Sequence, residues 1–188
     1  AYRHGDCTWC ISLPSGVHVT FKEPDADDYG TEFKEKQLTK FRSLFTKADI
    51  SITQKGYEYY SRYIDVDSFI DWYIVNEFVK NFDSGFTTSC YCYAGEDGKI
   101  HMGPVWDYDT CMGNQAVATC VEYEGYHVGT SPWYDALLHD ETFFRMLCER
   151  WTFLIDSGAI QESFFDLMTD TDEYISESCT ENFKIWKD

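Results

Sequence analysis

Asn81-Phe82-Asp83-Ser84-Gly85 and Trp106-Asp107-Tyr108-Asp109 flank the stretch whose reading decides the fold. Between them lie an apolar strand over residues 90–94, the turn Gly95-Glu96-Asp97-Gly98 and a second strand over residues 99–105. Gly and Asp suit a tight hairpin because they tolerate positive φ. A turn centred between Glu96 and Asp97 would set Cys90 opposite Gly103 and fold the loop at Asp83 back beside Asp107 and Asp109. Three carboxylates would then meet at the open end of one hairpin. Two unit charges about 4 Å apart repel by roughly 1 kcal/mol in water and about 4 kcal/mol at an effective dielectric of about 20. From Phe82 to Tyr108 the chain has a single lysine, Lys99 beside the turn, and no arginine. A hard cation with oxygen ligands, Mg2+ or Mn2+, is therefore one way to offset the charge. The other is that the aspartates cap turns and face water. Both readings stay open on these residues alone.

Composition bounds the rest. The 188 residues suffice for one domain with a real core, and 14 Tyr with 14 Phe supply large buried areas. A net charge of −18 argues against a nucleic-acid partner, which would need a basic face. No apolar run reaches membrane-spanning length, and the first residues lack a signal-peptide pattern. The chain opens abruptly, as in the middle of a domain, so a piece of a longer protein is expected. Among eight cysteines, Cys7 and Cys10 form a C-x-x-C that no second pair follows at zinc-finger spacing. Mostly reduced, buried thiols are expected, with Cys148 and Cys179 as small core residues on helices and one disulfide between distant cysteines left open.

Along the chain, Val17, Val19 and Phe21 alternate with His18, Thr20 and Lys22 as a half-buried strand ended by Pro24. An acidic loop leads to a helix striped by Leu38, Phe41, Leu44 or Phe45, and Ala48, with Glu32 and Glu35 in its first turn. Asp65 or Asp67 caps a helix over residues 66–80 that is apolar nearly all round and should be central. Glu77 interrupts its apolar face. A buried carboxylate needs partners, so Glu77 is expected to brace the following loop through backbone amides. Residues 115–132 are too irregular to assign. Beyond them, short helices at Trp133 and at residues 160–168, and longer ones striped by Phe144-Leu147-Cys148-Trp151-Ile155 and Ile175-Cys179-Phe183-Trp186, read as core packing.

Several of these segments together resemble the kinase-like family of the spore coat protein CotH. The resemblance rests on Ile64-Asp65-Val66-Asp67-Ser68-Phe69-Ile70-Asp71, on Val75-Asn76-Glu77-Phe78-Val79-Lys80-Asn81-Phe82-Asp83, and on Gly103-Pro104-Val105-Trp106-Asp107-Tyr108-Asp109 with Gly113-Asn114. Upstream, Val19-Thr20-Phe21-Lys22-Glu23-Pro24 is similar to the family's strand ending in Lys-x-Pro, and Trp133, Leu137-Leu138, Phe144, Arg150-Trp151, Asn182 and Trp186 fit downstream. The resemblance implies an α+β, protein-kinase-like fold: a single domain over 1–188, with a partial N-terminal lobe (1–50) and a helical C-terminal lobe (51–188) that carries the hairpin. It implies ATP and Mg2+ or Mn2+ as cofactors, a protein substrate phosphorylated on serine, and a bacterial spore-coat or secreted, cell-surface setting. Carried onto this chain, Asp83 would be the base or orienting group, and Asp107 the metal ligand with Asp109 as a second ligand or brace. Lys22 would reach the phosphates, paired with Glu32 or Glu35, and Gly113 would let the chain turn close to them.

Two departures bear on this. Where the family often has a metal-binding Asn after the catalytic loop, this chain offers Thr88 and Ser89, weaker ligands; Ser89 is taken as the third metal position. No Gly-rich loop precedes Lys22. A non-catalytic surface or docking module of the same fold is therefore the alternative. A bare calcium site finds no support, because no run has EF-hand spacing.

Overall fold

The alternation at Val17, Val19 and Phe21 does build a strand, and a partner pairs with it. A computed structural model describes residues 8–86, 88–114, 121–122 and 124–186. In it β1 (Cys10–Ser12) and β2 (His18–Thr20) form an antiparallel ribbon with Cys10 opposite Thr20. Val17 and Phe21 are buried and His18 and Thr20 exposed, as period-two patterning requires. Asp25 then caps the short α1 (Ala26–Tyr29), accepting the Asp27 N–H at 2.8 Å. The long α2 (Thr31–Gln54) follows, with Leu38, Phe45 and Ala48 buried on the expected stripe. It runs straight through residue 50, where the lobe boundary was expected.

Asp49 on α2 is fully buried and ties three elements together. Its carboxylate accepts the Ser15 N–H at 3.0 Å, the Ser15 hydroxyl, and Trp133 Nε1–H at 2.7 Å. The ribbon turn, α2 and α5 (Pro132–Leu138) thus meet on one charge whose lone pairs are used, the condition for burying it. Around it the aromatics pack as a cluster: Trp133 lies 6.2 Å from Phe45 and 6.1 Å from Phe69, and Tyr134 stacks on Trp72 at 5.6 Å.

The short α3 (Tyr57–Tyr60) leads to α4 (Val66–Phe78), capped by Asp65, which accepts the Ser68 N–H at 2.8 Å. Phe69, Ile70, Trp72, Tyr73 and Ile74 are buried, so α4 is central. It is not buried all round: Val75 and Phe78 face solvent. The hairpin β3 (Cys92–Ala94) and β4 (Ile100–Met102) docks at its start. Asp65 N–H reaches the Ile100 carbonyl at 2.8 Å, and Met102 N–H reaches Ser68 Oγ at 3.2 Å.

The hairpin register differs from expectation by one residue. Cys92 faces Met102 and Ala94 faces Ile100, so Tyr91, not Cys90, lies opposite Gly103, whose N–H it accepts at 2.9 Å. The cause is a three-residue loop, Glu96-Asp97-Gly98, closed by Gly95 N–H to the Lys99 carbonyl and completed by Gly98 at φ +78°.

The chain divides into two compact units, Ala1–Met146 and Leu147–Asp188. The division falls inside α6 (Glu141–Asp156); a π-helical turn, Ala159–Phe164, then continues into α7 (Phe165–Ile185). Residues 160–168 are therefore not a separate helix. The aromatic stripes read as core are not core either: no residue of α7 is buried, and Phe144, Trp151, Ile155, Phe183 and Trp186 are exposed. A two-helix unit has no second layer to close over its apolar stripe. Cys148 is likewise exposed. Cys10 is disulfide-bonded, and Cys90, Cys92, Cys111, Cys148 and Cys179 are free thiols. Cys7 and, in the unassigned 115–132 stretch, residues 115–120 and 123 lie outside the described residues.

Candidate functional site

The site is built where α4 runs out. Asn81 follows α4, fully enclosed, with its side-chain amide donating to Asn76 Oδ1 at 3.1 Å, while its own Oδ1 accepts the Asp83 N–H at 3.3 Å. That cap starts a 3-10 turn, Phe82–Gly85, which presents Asp83. From the far side of the hairpin comes the loop after β4, bearing Asp107 and Asp109, both exposed. Ser89 reaches the second side: its hydroxyl donates to Asp107 Oδ2 at 2.9 Å. Cys90 Sγ–H donates to the Asp83 carbonyl at 3.2 Å. Of the four residues expected to meet, Ser89 and Asp107 are joined by a hydrogen bond, and Asp83 lies near enough to Asp107 and Asp109 to feel their charges.

Burial first, then the like charges of Asp107 and Asp109, push the Asp83 carboxyl above its ordinary value, against the Ser89 hydroxyl and nearby His127. Among the described residues no lysine or arginine ion-pairs with any of the three aspartates. Lys80, the nearest in sequence, spends its ammonium on the Glu124 and Gly125 carbonyls. The neighbouring thiols do not help, because burial pushes Cys90 up to about 11 and Cys92 up to about 12, leaving both neutral at pH 7. Uncompensated charge with carboxylate and hydroxyl oxygens suits a hard divalent cation held by one or two carboxylates and completed by water. It is not a closed cage. Among the described residues the group whose ligand atoms come within 4.8 Å of one another is Asp65, Asp97 and His101. There His101 already spans the two carboxylates, Nε2 to Asp97 at 3.1 Å and Nδ1 to Asp65 at 3.7 Å, and fastens the hairpin turn to the cap of α4.

Backbone strain marks the same place. Among the described residues all the non-glycine positive-φ positions, Lys80, Phe86, Ser89, Asp107 and Met112, lie in the loops that frame this site. Such conformations persist where surrounding structure over-determines them, commonly at functional sites. Gly113, at φ +82°, completes the loop, which is closed by Met112 N–H to the Val79 carbonyl at 2.7 Å and Asn114 Nδ2–H to the Asp109 carbonyl at 2.6 Å.

Within the first unit a cavity of about 940 Å3 opens between the β1–β2 ribbon and the segment 86–92, with Ser89 in its wall. That volume is in the range of small-molecule sites. Lys22 lines it but is exposed, and no ion pair joins it to Glu32 or Glu35, both of which point to solvent. The expected Lys–Glu pair is not formed. The reason is helical phase: Lys34, not Glu35, continues the Leu38–Phe41–Phe45 stripe inward, and Glu35 lies about 100° round the helix. Gly113 does not line the cavity.

Two residues that the motifs did not single out complete the picture. Lys34 is buried in the cavity wall, and its place in the apolar stripe is the signal that marks it. His127 donates from Nε2 to the Phe82 carbonyl at 2.6 Å and stacks on the Phe82 ring, and Glu77 accepts the His127 and Val128 N–H groups. Glu77 does brace backbone amides, though of this distant segment rather than of the loop next to it.

A family model described as CotH kinase protein matches residues 12–188. The chain belongs to the CotH kinase protein family. Searches of curated proteins and of solved structures returned no match. The CotH match takes in β2, the hairpin and the three aspartates, while Trp9 and Cys10 of the cavity wall lie before it. Membership of a family of kinases gives the acidic site and the adjoining cavity a kinase-like setting. The fold around them is α+β, mainly helical with two small antiparallel sheets. No helix among the described residues is long and apolar enough to cross a membrane.

Proposed function

We propose that this CotH-family domain binds ATP with Mg2+ or Mn2+ and transfers the γ-phosphoryl group to serine hydroxyls of a protein substrate, on a protein-kinase-like fold. The observation that carries the reading is Asp83 in the field of the Asp107 and Asp109 charges, with Ser89 both donating to Asp107 and lining a cavity of about 940 Å3. Phosphoryl transfer asks a protein mainly for positioning and charge neutralisation. Asp107 and Asp109, with Ser89, would hold the metal, which when bound neutralises phosphate charge. Asp83 orients the acceptor hydroxyl and takes its proton, a role helped by a carboxyl more basic than usual. The rigid hairpin and the Asn76–Asn81 pair keep the two sides in place. A spore-coat or cell-surface setting goes with the family.

The test is phosphate incorporation from ATP into serine-containing protein by the wild type, Asp83→Asn and Asp107→Asn. Each change is expected to abolish incorporation with the fold retained, and equal incorporation by either variant would refute the roles. The second reading, a non-catalytic docking module, is favoured by one observation: a serine stands where an amide would be the better ligand. Thermal unfolding with ATP and Mn2+ separates them, because ligand at about 100 times its Kd adds roughly 2.7 kcal/mol.

A further inference from the structure

We infer that Lys34, on helix α2, rather than Lys22, is the ammonium that meets the nucleotide's phosphates in the cavity. The inference rests on the reading above and adds a residue to it. Lys34 is 3 % exposed, and its Nζ donates to the Lys22 carbonyl at 3.1 Å, faces Asp25 Oδ2 at 3.5 Å, and sits 4.9 Å from the Trp9 ring centre. An ammonium has three N–H donors, and this one has a single carbonyl and a rim carboxylate that is nearly half exposed. A buried charge so lightly matched is poised for a second anion. Lys22 has the opposite character: it is an exposed residue of the cavity lining, and its carbonyl accepts from the Lys34 ammonium.

Asp25 makes the proposal testable in two directions. It competes with any phosphate for Lys34, so removing its charge should strengthen phosphate binding; because Asp25 also lines the cavity, that gain is assigned to Lys34 only if it disappears when Lys34 is changed as well. Asn at this position keeps an acceptor for the Asp27 N–H and so keeps the cap.

Isothermal titration with ATP and Mn2+, and with adenosine alone, is run on the wild type, Lys34→Met, Lys22→Met, Asp25→Asn, and Lys34→Met combined with Asp25→Asn. Lys34→Met is expected to weaken ATP by about tenfold or more without changing adenosine. Lys22→Met should stay within about twofold, and Asp25→Asn should tighten ATP by roughly three- to tenfold while leaving adenosine alone, a gain that the combined variant should lack. A loss confined to Lys22→Met overturns the assignment and leaves the kinase reading standing. If Lys34→Met does not fold, Lys34→Gln, alone and combined with Asp25→Asn, takes its place: ATP binding unchanged by Lys34→Gln, or a gain from Asp25→Asn that persists beside it, overturns the proposal. A wild type that binds neither ligand removes the nucleotide reading itself, and this one with it.

Discussion

Glu77 accepts the main-chain N–H of His127 at 2.7 Å, fifty residues away in the chain. Through that bond the end of α4 sets where His127 sits, and His127 in turn holds the Phe82 carbonyl next to Asp83. Glu77→Ala would strand two N–H groups and free His127. The expected cost is about 2–3 kcal/mol, with Glu77→Gln losing roughly 1 kcal/mol because it keeps one acceptor. Urea unfolding of the two variants checks the order; equal losses would mean that the carboxylate's two bonds carry little of it.

The raised Asp83 carboxyl makes stability depend on pH in a definite direction. Its ionised form is less favourable in the fold than in the unfolded chain, so it destabilises above the folded-state pKa. That penalty fades as pH falls through the folded-state pKa towards the ordinary value of 3.8. Asp83→Asn is therefore expected to be more stable than the wild type at pH 7, by roughly 1 kcal/mol or less, and to lose the advantage on acidification. Unfolding midpoints measured between pH 7 and pH 4 would show it, and a wild type that is the more stable at pH 7 would contradict the site's charge crowding.

Asp49 holds Ser15 and Trp133 from a fully buried position. Asp49→Ala leaves the Trp133 indole N–H and the Ser15 amide without partners, for a loss of about 3–4 kcal/mol. Near-UV circular dichroism should change with it, since Trp133 sits among Phe45, Phe69 and Phe86.

Gly95 is the one hairpin position where a methyl group cannot fit as the side chains stand. A Cβ there would come within 2.6 Å of both Asp97 Oδ1 and His101 Nε2. Gly95→Ala is expected to push that pair apart and cost roughly 1–2 kcal/mol. The His101 ring resonances, followed by NMR, should lose the signature of the Asp97 contact. Unchanged resonances would mean that the hairpin turn yields instead.

Much of this molecule was legible in its residues, because local chemistry specifies local structure. Turn residues and flanking apolar runs named the hairpin, Asp65 named a helix start, and the stripe of Leu38, Phe45 and Ala48 named a buried face. Antiparallel pairing brought Asp83 within the electrostatic reach of Asp107 and Asp109, and a one-residue slip in the register did not undo that, because loops long enough to absorb it lie at the open end. What needed the tertiary structure were partners distant in the chain. That Glu77 would find His127, that Asp49 would gather Ser15 and Trp133, and that Lys34 would turn inward where Glu35 was expected are all decided by which faces pack together. Periodicity fixes a residue's angle on its own helix; only the packing of one element on another says what waits at that angle.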